Sequence, residues 1–259
     1  MRASFSHEGL RVYQYALKFY AEIDPVVSGW DPRHAVADHL QRAAESVVES
    51  IATASATYEK AKGSTLDYGL GSVLEIAACL DIAQIKSLVD RDTVECFKEK
   101  LSTVFRMLFG LRSSWSEDTV REDWPDYRAG LTAADSSFHF HHETLDVYRI
   151  ALDAMRWLCV PGTTDGLSPK QFRRLDTTMT SMILNIAEGN GRFSDSDRGR
   201  FLKVAHLAAI KTAAQIDLAT AAGLLDAHVG AVGKNVLSRV AAMTAVMMRG
   251  RKKDGYRTI

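Results

Sequence analysis

Residues 7–13 of the chain have the sequence HEGLRVY, and residues 142–148 have the sequence HETLDVY. The offset of 135 residues persists to residues 51–52. It is 136 at residues 81–83, where DIA aligns with DLA, and at residues 88–90, where LVD aligns with LLD. Matches that stay in register through roughly 80 residues indicate an internal repeat. We therefore predict a tandem duplication with one single-residue length change between its second and third elements.

Both copies have the apolar spacing of amphipathic helices. In the first copy, apolar residues recur at steps of three and four from Val12 to Ile23, and the second copy repeats this pattern from Val147 to Met155. Four helices of about 20 residues with short loops bury their apolar stripes by packing antiparallel. The predicted fold is all-α, with two tandem up-down-up-down four-helix bundles joined by an acidic linker.

Helix boundaries are marked by Pro, Gly and capping side chains. Asp31-Pro32 and Ser168-Pro169 each place an N-cap side chain before a first-turn proline, which predicts the start of a second helix in each copy. The first helix is expected to end before Pro25. We expect Gly189 to close the second helix of the second copy in a left-handed conformation, and residues 194–197 to form a capping box.

Four segments follow from this pattern, and their charges differ. We predict a first bundle over residues 1–115, a linker over 116–138, a second bundle over 139–250 and a basic tail over 251–259. The chain has 32 basic and 32 acidic side chains. The net charge is −2 for residues 1–115, −4 for the linker, and +6 for all residues after it. A uniformly basic nucleic-acid binder is thereby excluded, and any polyanion site is expected in the second bundle.

Bundle topology brings the basic segments of the second bundle to one end. The end of its second helix, the start of its third and the end of its fourth lie together there. Such a cluster is a candidate phosphate-binding surface, and a solvated basic terminus is the alternative. The candidate nucleic-acid-binding residues are Arg192, Arg198, Arg200, Lys203, Arg249, Arg251, Lys252 and Lys253.

Residues 181–194, SMILNIAEGNGRFS, and the first-helix segments 145–152 and 10–17 carry a family resemblance. They resemble a bacterial four-helix-bundle family of proteins encoded in intervening sequences of 23S rRNA genes, which includes the accessory variability determinants of diversity-generating retroelements. Residues 49–54, ESIATA, show that the first copy has lost the Glu, Gly and Arg of the turn. The resemblance implies an accessory or adaptor protein for RNA or a ribonucleoprotein, with a reverse transcriptase as a candidate partner.

Four residues of the turn motif allow two interpretations. Asn185, Glu188, Gly189 and Gly191 either anchor a tight helical turn or mark a surface that binds a partner. In the first interpretation Glu188 pairs with Arg192, and Asn185 bonds a backbone group across the bundle.

Enzymatic activity has no support in the sequence. No nucleophile-base, phosphate-loop or metal-ligand motif is present, so we expect no catalytic residue, no metal and no cofactor. The three cysteines, odd in number, indicate free thiols in a reducing cytoplasm, and no membrane-spanning helix is expected. We therefore predict a non-enzymatic interaction protein, either a monomeric pseudo-dimer or a small homo-oligomer. The alternative is a protein-only scaffold that binds its partner through the first bundle.

Overall fold

The computed structural model describes residues 5–115, 139–192 and 194–249, so the predicted linker and basic tail lie outside the described residues. Within these ranges the regular structure is helical throughout, which confirms the all-α prediction. Short 3-10 turns at Ser6–Gly9 and His141–Thr144 precede the two bundles. The helices are α1 (Arg11–Ser28), α2 (Ala35–Ala56), α3 (Glu59–Ile85), α4 (Arg91–Trp115), α5 (Asp146–Cys159), α6 (Pro169–Asn190), α7 (Asp195–Ala221) and α8 (Ala227–Arg249).

Helices α1–α4 pack as one bundle and α5–α8 as a second, and the two bundles share loop geometry at corresponding positions. Ser87 follows α3 with φ 56°, and Gly223, 136 residues later, follows α7 with φ 69°. Asp90 then accepts a bond from the Thr93 N–H at 2.8 Å, and Asp226 accepts one from the Val229 N–H, the corresponding position, at 3.1 Å. The same turn and the same capping carboxylate thus start the fourth helix of each bundle.

Two predicted helix boundaries in the first bundle were wrong. Helix α1 continues through Pro25 to Ser28, because a proline in the last turn removes only one intrahelical hydrogen bond. Helix α2 begins at Ala35 and not at Pro32. The Asp31 carboxylate accepts the Arg33 N–H at 2.9 Å, so it stabilises a separate turn before the helix.

The second bundle follows its predicted caps more closely. Ser168 caps α6 with Pro169 in the first turn, and Gln171 completes a capping box. At α7 the Ser194 hydroxyl accepts the Asp197 N–H at 3.3 Å. The Asp197 carboxylate instead lies 3.4 Å from the Arg200 guanidinium, which pairs the two residues on the helix surface.

Helix α3 is the central helix of the molecule. It packs on α2 and α4 within its own bundle and on α5 and α6 of the second, so one apolar core extends through both bundles. Residues 61–85 are the one described segment that is long and apolar enough to cross a bilayer, but most of that segment is buried inside protein. Its apolar composition is therefore that of a core helix surrounded by other helices.

Candidate nucleic-acid interface and the contact between the bundles

The turn motif of the second bundle lies against helix α3 of the first. A Cβ added to Gly191 would overlap the Leu74 side chain, and one added to Gly71 would lie 2.7 Å from the Arg192 guanidinium. Gly189 does not take the predicted left-handed conformation: it stays inside α6, where an added Cβ would lie 3.0 Å from the Cβ of Phe201. These glycines permit close helix contacts.

Arg192 is buried at this contact. Its guanidinium pairs with Glu188, donates to the Asp67 carbonyl at 3.3 Å and lies 4.4 Å from the centre of the Phe201 ring. Burial, with the nearby charge of Glu75, raises the pKa of Glu188, and Arg192 opposes this increase. Because its guanidinium is engaged in these contacts, Arg192 has little exposed surface with which to bind a phosphate. The sequence had suggested Arg192 as an exposed nucleic-acid-binding residue.

Asn185 also acts locally, but not as predicted. Its amide donates to the Ser181 carbonyl at 2.7 Å, one turn earlier in α6, and it does not bond across the bundle. Together with the Glu188–Arg192 pair, this geometry supports the interpretation of the motif as a structural anchor.

A buried ion pair joins the two bundles at the opposite end of α6. Lys86, just after α3, pairs with Asp176 of α6, and the two side chains are 2% and 0% exposed. The Asp176 carboxylate also accepts the Ala35 N–H at 3.1 Å, at the start of α2. Burial and the charge of Lys86 lower the pKa of the neighbouring His34.

A second buried charged cluster connects the bundles through α4. The Lys98 ammonium lies 2.5 Å from the Asp81 carboxylate and 2.7 Å from the Glu143 carboxylate, while the Tyr148 hydroxyl donates to Asp81 at 2.8 Å. His142 is fully buried beside them, and neither of its ring nitrogens has a hydrogen-bond partner within the described part of the chain. Burial lowers its pKa to about 3.

This cluster contains the metal-ligating types that lie closest together among the described residues. Ligand atoms of Asp81, His142 and Glu143 lie within 4.8 Å of one another. The Lys98 ammonium already bridges both carboxylates, so a metal ion would have to displace a buried cation from its two acidic partners. The residues present therefore favour an ion-pair network over a metal site.

The basic residues predicted at one end of the second bundle have different environments. His206 Nδ1 of α7 lies 3.1 Å from the Thr244 hydroxyl of α8. This contact places the start of α7 beside the end of α8. Arg200 is paired with Asp197, and Lys203 is exposed. Arg198 lies where its backbone approaches Gly189, and Arg249 Nε donates to the Ala245 carbonyl at 3.2 Å. Arg251, Lys252 and Lys253 lie outside the described residues.

A more open group of cations lies elsewhere on the second bundle, and the sequence reasoning missed it. Lys170, Arg173 and Arg174 of α6 and Lys211 of α7 line a groove of about 320 Å³. All four are exposed, and within the described residues none forms an ion pair with a carboxylate. The run KQFRR at 170–174 was the available signal. We call these four residues the basic groove.

A neighbouring cleft continues this surface toward the first bundle. It has a volume of about 530 Å³ and lies between the loop before α2 and the start of α6. Arg33 and His34 line it from the first bundle, and Lys170, Phe172 and Arg173 line it from the second. Cationic and aromatic side chains thus share one concave surface.

The corresponding positions of the first bundle have the opposite character. Arg173 and Arg174 correspond to Asp38 and His39, and Lys211 corresponds to Glu75. His39 Nδ1 lies 3.0 Å from the Glu75 carboxylate, so these groups satisfy each other. The basic groove is therefore a property of the second bundle alone.

The described residues define a helical protein of two docked four-helix bundles, with an unpaired cationic groove on the second. Residues 8–110, the first bundle, match the sequence model of the 23S rRNA-intervening sequence protein family, so this part of the chain is similar to that family. The match covers the copy that lacks the turn motif. No curated protein and no solved structure gives a significant match to the chain.

Proposed function

We propose that the protein is a non-enzymatic accessory protein that binds RNA, alone or within a ribonucleoprotein, through the basic groove of its second bundle. The observation that carries this proposal is a group of exposed cations that have no acidic partner among the described residues: Lys170, Arg173, Arg174 and Lys211. A surface of this kind attracts phosphates and releases counterions when it binds them. The similarity of residues 8–110 to the 23S rRNA-intervening sequence protein family is compatible with an RNA-associated role.

The neighbouring cleft adds features suited to a single strand. Phe172 lines this cleft together with Arg173 and with Arg33, which is paired with Asp31. Unstacked bases bind aromatic surfaces while cations follow the phosphates. The predicted tail residues Arg251, Lys252 and Lys253 supply further charge. A reverse transcriptase remains the candidate protein partner, and the free thiols of Cys79, Cys96 and Cys159 support a reducing, cytoplasmic setting.

The test is RNA binding by fluorescence anisotropy at several salt concentrations, with a 20-nucleotide single strand and a hairpin as probes. The variant K170E/R173E/R174E reverses three cations of the basic groove and leaves Lys211 intact. We expect its affinity to fall at least tenfold and the slope of log K against log salt to become shallower by about 0.7 for each lost phosphate contact.

A matched control reverses three exposed cations on the first bundle, in the variant K18E/R91E/R106E. Its net charge equals that of the groove variant, so a general charge effect would weaken both equally. An equal loss in the two variants, or no binding by the unmodified protein at 50 mM salt, would contradict the proposal.

A protein-only scaffold remains a second candidate because the surface of α7 carries exposed apolar residues. Leu207 is 53% exposed and Ile210 is 49% exposed, on the bundle opposite to the one that the sequence suggested for a protein partner. Binding of a protein without any binding of RNA would favour this function.

A further inference from the structure

The cleft between the bundles combines half-buried apolar walls with exposed cations. Leu167 and Phe172 are half-buried in its walls, whereas Lys170 and Arg173 are exposed. Lys170 and Arg173 also line the basic groove, so the two concave surfaces are continuous. The cleft volume of about 530 Å³ lies within the range of about 300 to 1,000 Å³ that is typical of sites for small organic ligands. A strand in the basic groove can therefore place one of its units in the cleft.

The Phe172 ring is held in place from its buried side. The Lys86 ammonium lies over the ring, 6.0 Å from its centre, and this ammonium is fixed by its ion pair with Asp176. Phe172 also packs against the apolar core that extends through both bundles. An aromatic ring that is already ordered loses little side-chain entropy when a base stacks on it. The cleft thus offers a preorganised aromatic surface.

His34 supplies a hydrogen-bond donor on the first-bundle side of the cleft. Its Nδ1 lies 3.3 Å from the Lys86 ammonium, which can only donate, so Nδ1 accepts and we assign the ring proton to Nε2. Burial and the charge of Lys86 lower the pKa of His34, which favours the neutral ring. Among the described residues Nε2 has no hydrogen-bond partner. The Nε2–H group is therefore free to donate to an acceptor in the cleft.

The charged groups of the cleft differ between its two walls. On the first bundle, Arg33 pairs with Asp31, which also lines the cleft. On the second bundle, Lys170 and Arg173 have no acidic partner within the described part of the chain. A phosphate is therefore expected on the second-bundle wall. The neutral donor of His34 and the apolar walls suit a base, because neither carries a charge that would favour a second phosphate.

We infer that the cleft holds one unpaired nucleotide of the bound RNA, with its base against Phe172 and His34 and a flanking phosphate on Lys170 and Arg173. The inference rests on the proposed function, because the basic groove brings the strand to the cleft. A base inside a duplex is stacked on both faces and its pairing edge is occupied, so it cannot enter. The protein therefore prefers RNA with a bulged or single-stranded nucleotide over fully paired RNA. A free nucleoside monophosphate has the same base and phosphate, and the experiment separates the two sources.

The test compares two RNA duplexes by fluorescence anisotropy, one fully paired over about 20 base pairs and one with a single bulged adenosine added. We expect the unmodified protein to bind the bulged duplex about tenfold more tightly, which is the order of effect that the stacking of one base has. Phe172→Leu removes the ring and keeps an apolar side chain. His34→Asn removes the Nε2–H group and keeps an acceptor for Lys86. Each variant is expected to reduce the preference at least about threefold.

Two controls separate loss of the cleft from loss of the fold. Affinity for the fully paired duplex depends on the basic groove, so it should stay unchanged in Phe172→Leu and His34→Asn. Tyr58→Leu is the matched control, because Tyr58 follows the opposite end of α2 and is 92% exposed. It should keep the full preference for the bulged duplex.

The outcomes distinguish the inference from the proposed function. Equal affinity of the unmodified protein for the two duplexes would overturn the inference and leave RNA binding by the basic groove intact. A preference that both cleft variants retain would do the same. No binding of either duplex would overturn the proposed function together with the inference. Binding of adenosine 5′-monophosphate in that case, measured by calorimetry and lost in Phe172→Leu, would assign the cleft to free nucleotides.

Discussion

The two bundles of this protein share a topology and differ in what their corresponding surfaces face. Asp176 is buried in the contact between bundles, whereas its counterpart Gln41 is exposed on α2. Arg173 is an exposed cation, whereas its counterpart Asp38 is an anion. Asp176 differs from Gln41 because the contact between the bundles buries it, whereas Arg173 and Asp38 are both exposed and differ in charge. Each change at a contact residue can therefore be compared with the same change at its counterpart.

The largest expected effect comes from the buried ion pair. Removal of one partner in Asp176→Ala leaves the Lys86 ammonium buried without its counter-charge, so the free energy of unfolding should fall by about 3 to 5 kcal/mol. The counterpart change Gln41→Ala should lie within about 0.5 kcal/mol of the unmodified protein. Urea titrations followed by circular dichroism measure both. If the double variant K86M/D176L is no more stable than Asp176→Ala, the unpaired charge is not the cause.

The next effect is a dependence on pH that His142 causes. Its pKa is lowered to about 3 in the folded protein from 6.5, so the folded state is most stable above pH 6.5 and loses stability as the pH falls toward 3. The loss between pH 7 and pH 5 should be about 2 kcal/mol greater in the unmodified protein than in His142→Phe. Equal pH dependence in unmodified protein and His142→Phe would contradict this assignment.

A smaller effect is expected where α6 approaches α3. Gly191→Ala places a methyl group against Leu74, and this overpacking should destabilise the fold by about 1 to 2 kcal/mol. Its counterpart Ala56 already has a Cβ and is exposed, so Ala56→Ser should have little effect. Thermal unfolding of the two variants measures the difference. A Gly191→Ala protein as stable as the unmodified one would contradict this expectation, because it would show that α3 and α6 move apart at no cost in free energy.

The smallest effect concerns the turns after α3 and α7. Ser87 has a positive φ that glycine adopts more readily, so Ser87→Gly should stabilise the protein by about 0.5 kcal/mol, while Gly223→Ser should destabilise it by about 1 kcal/mol. Urea midpoints of the two variants should thus move in opposite directions. Shifts of the same sign would show that the two turns are not equivalent.

The sequence predicted the helices and their grouping because periodic apolar spacing is a local signal. It could not show that the two bundles dock, since Asp176 and Arg192 look like surface charges until their partners across the contact are known. The family model matches residues 8–110, a segment in which the turn motif is absent. The match therefore depends on the helices of the first copy and not on the turn motif.

The predicted nucleic-acid-binding residues were chosen mainly because basic side chains are dense near the end of the chain. Arg192 has its counter-charge one helical turn away at Glu188, and a pairing of that spacing was visible in the sequence. Lys170, Arg173 and Arg174 were also visible, but only the fold shows that Lys211 of another helix completes their groove.

Ultraviolet crosslinking of bound RNA, with the crosslinked peptides mapped by mass spectrometry, tests most directly the claim that the second bundle binds RNA. The account predicts crosslinks in the segment from Lys170 to Thr178, around Lys211 and at Arg33 and His34 of the neighbouring cleft, and none from Asp38 to Ala43 or around Glu75. Crosslinks spread equally over the two bundles, or confined to the first, would contradict it.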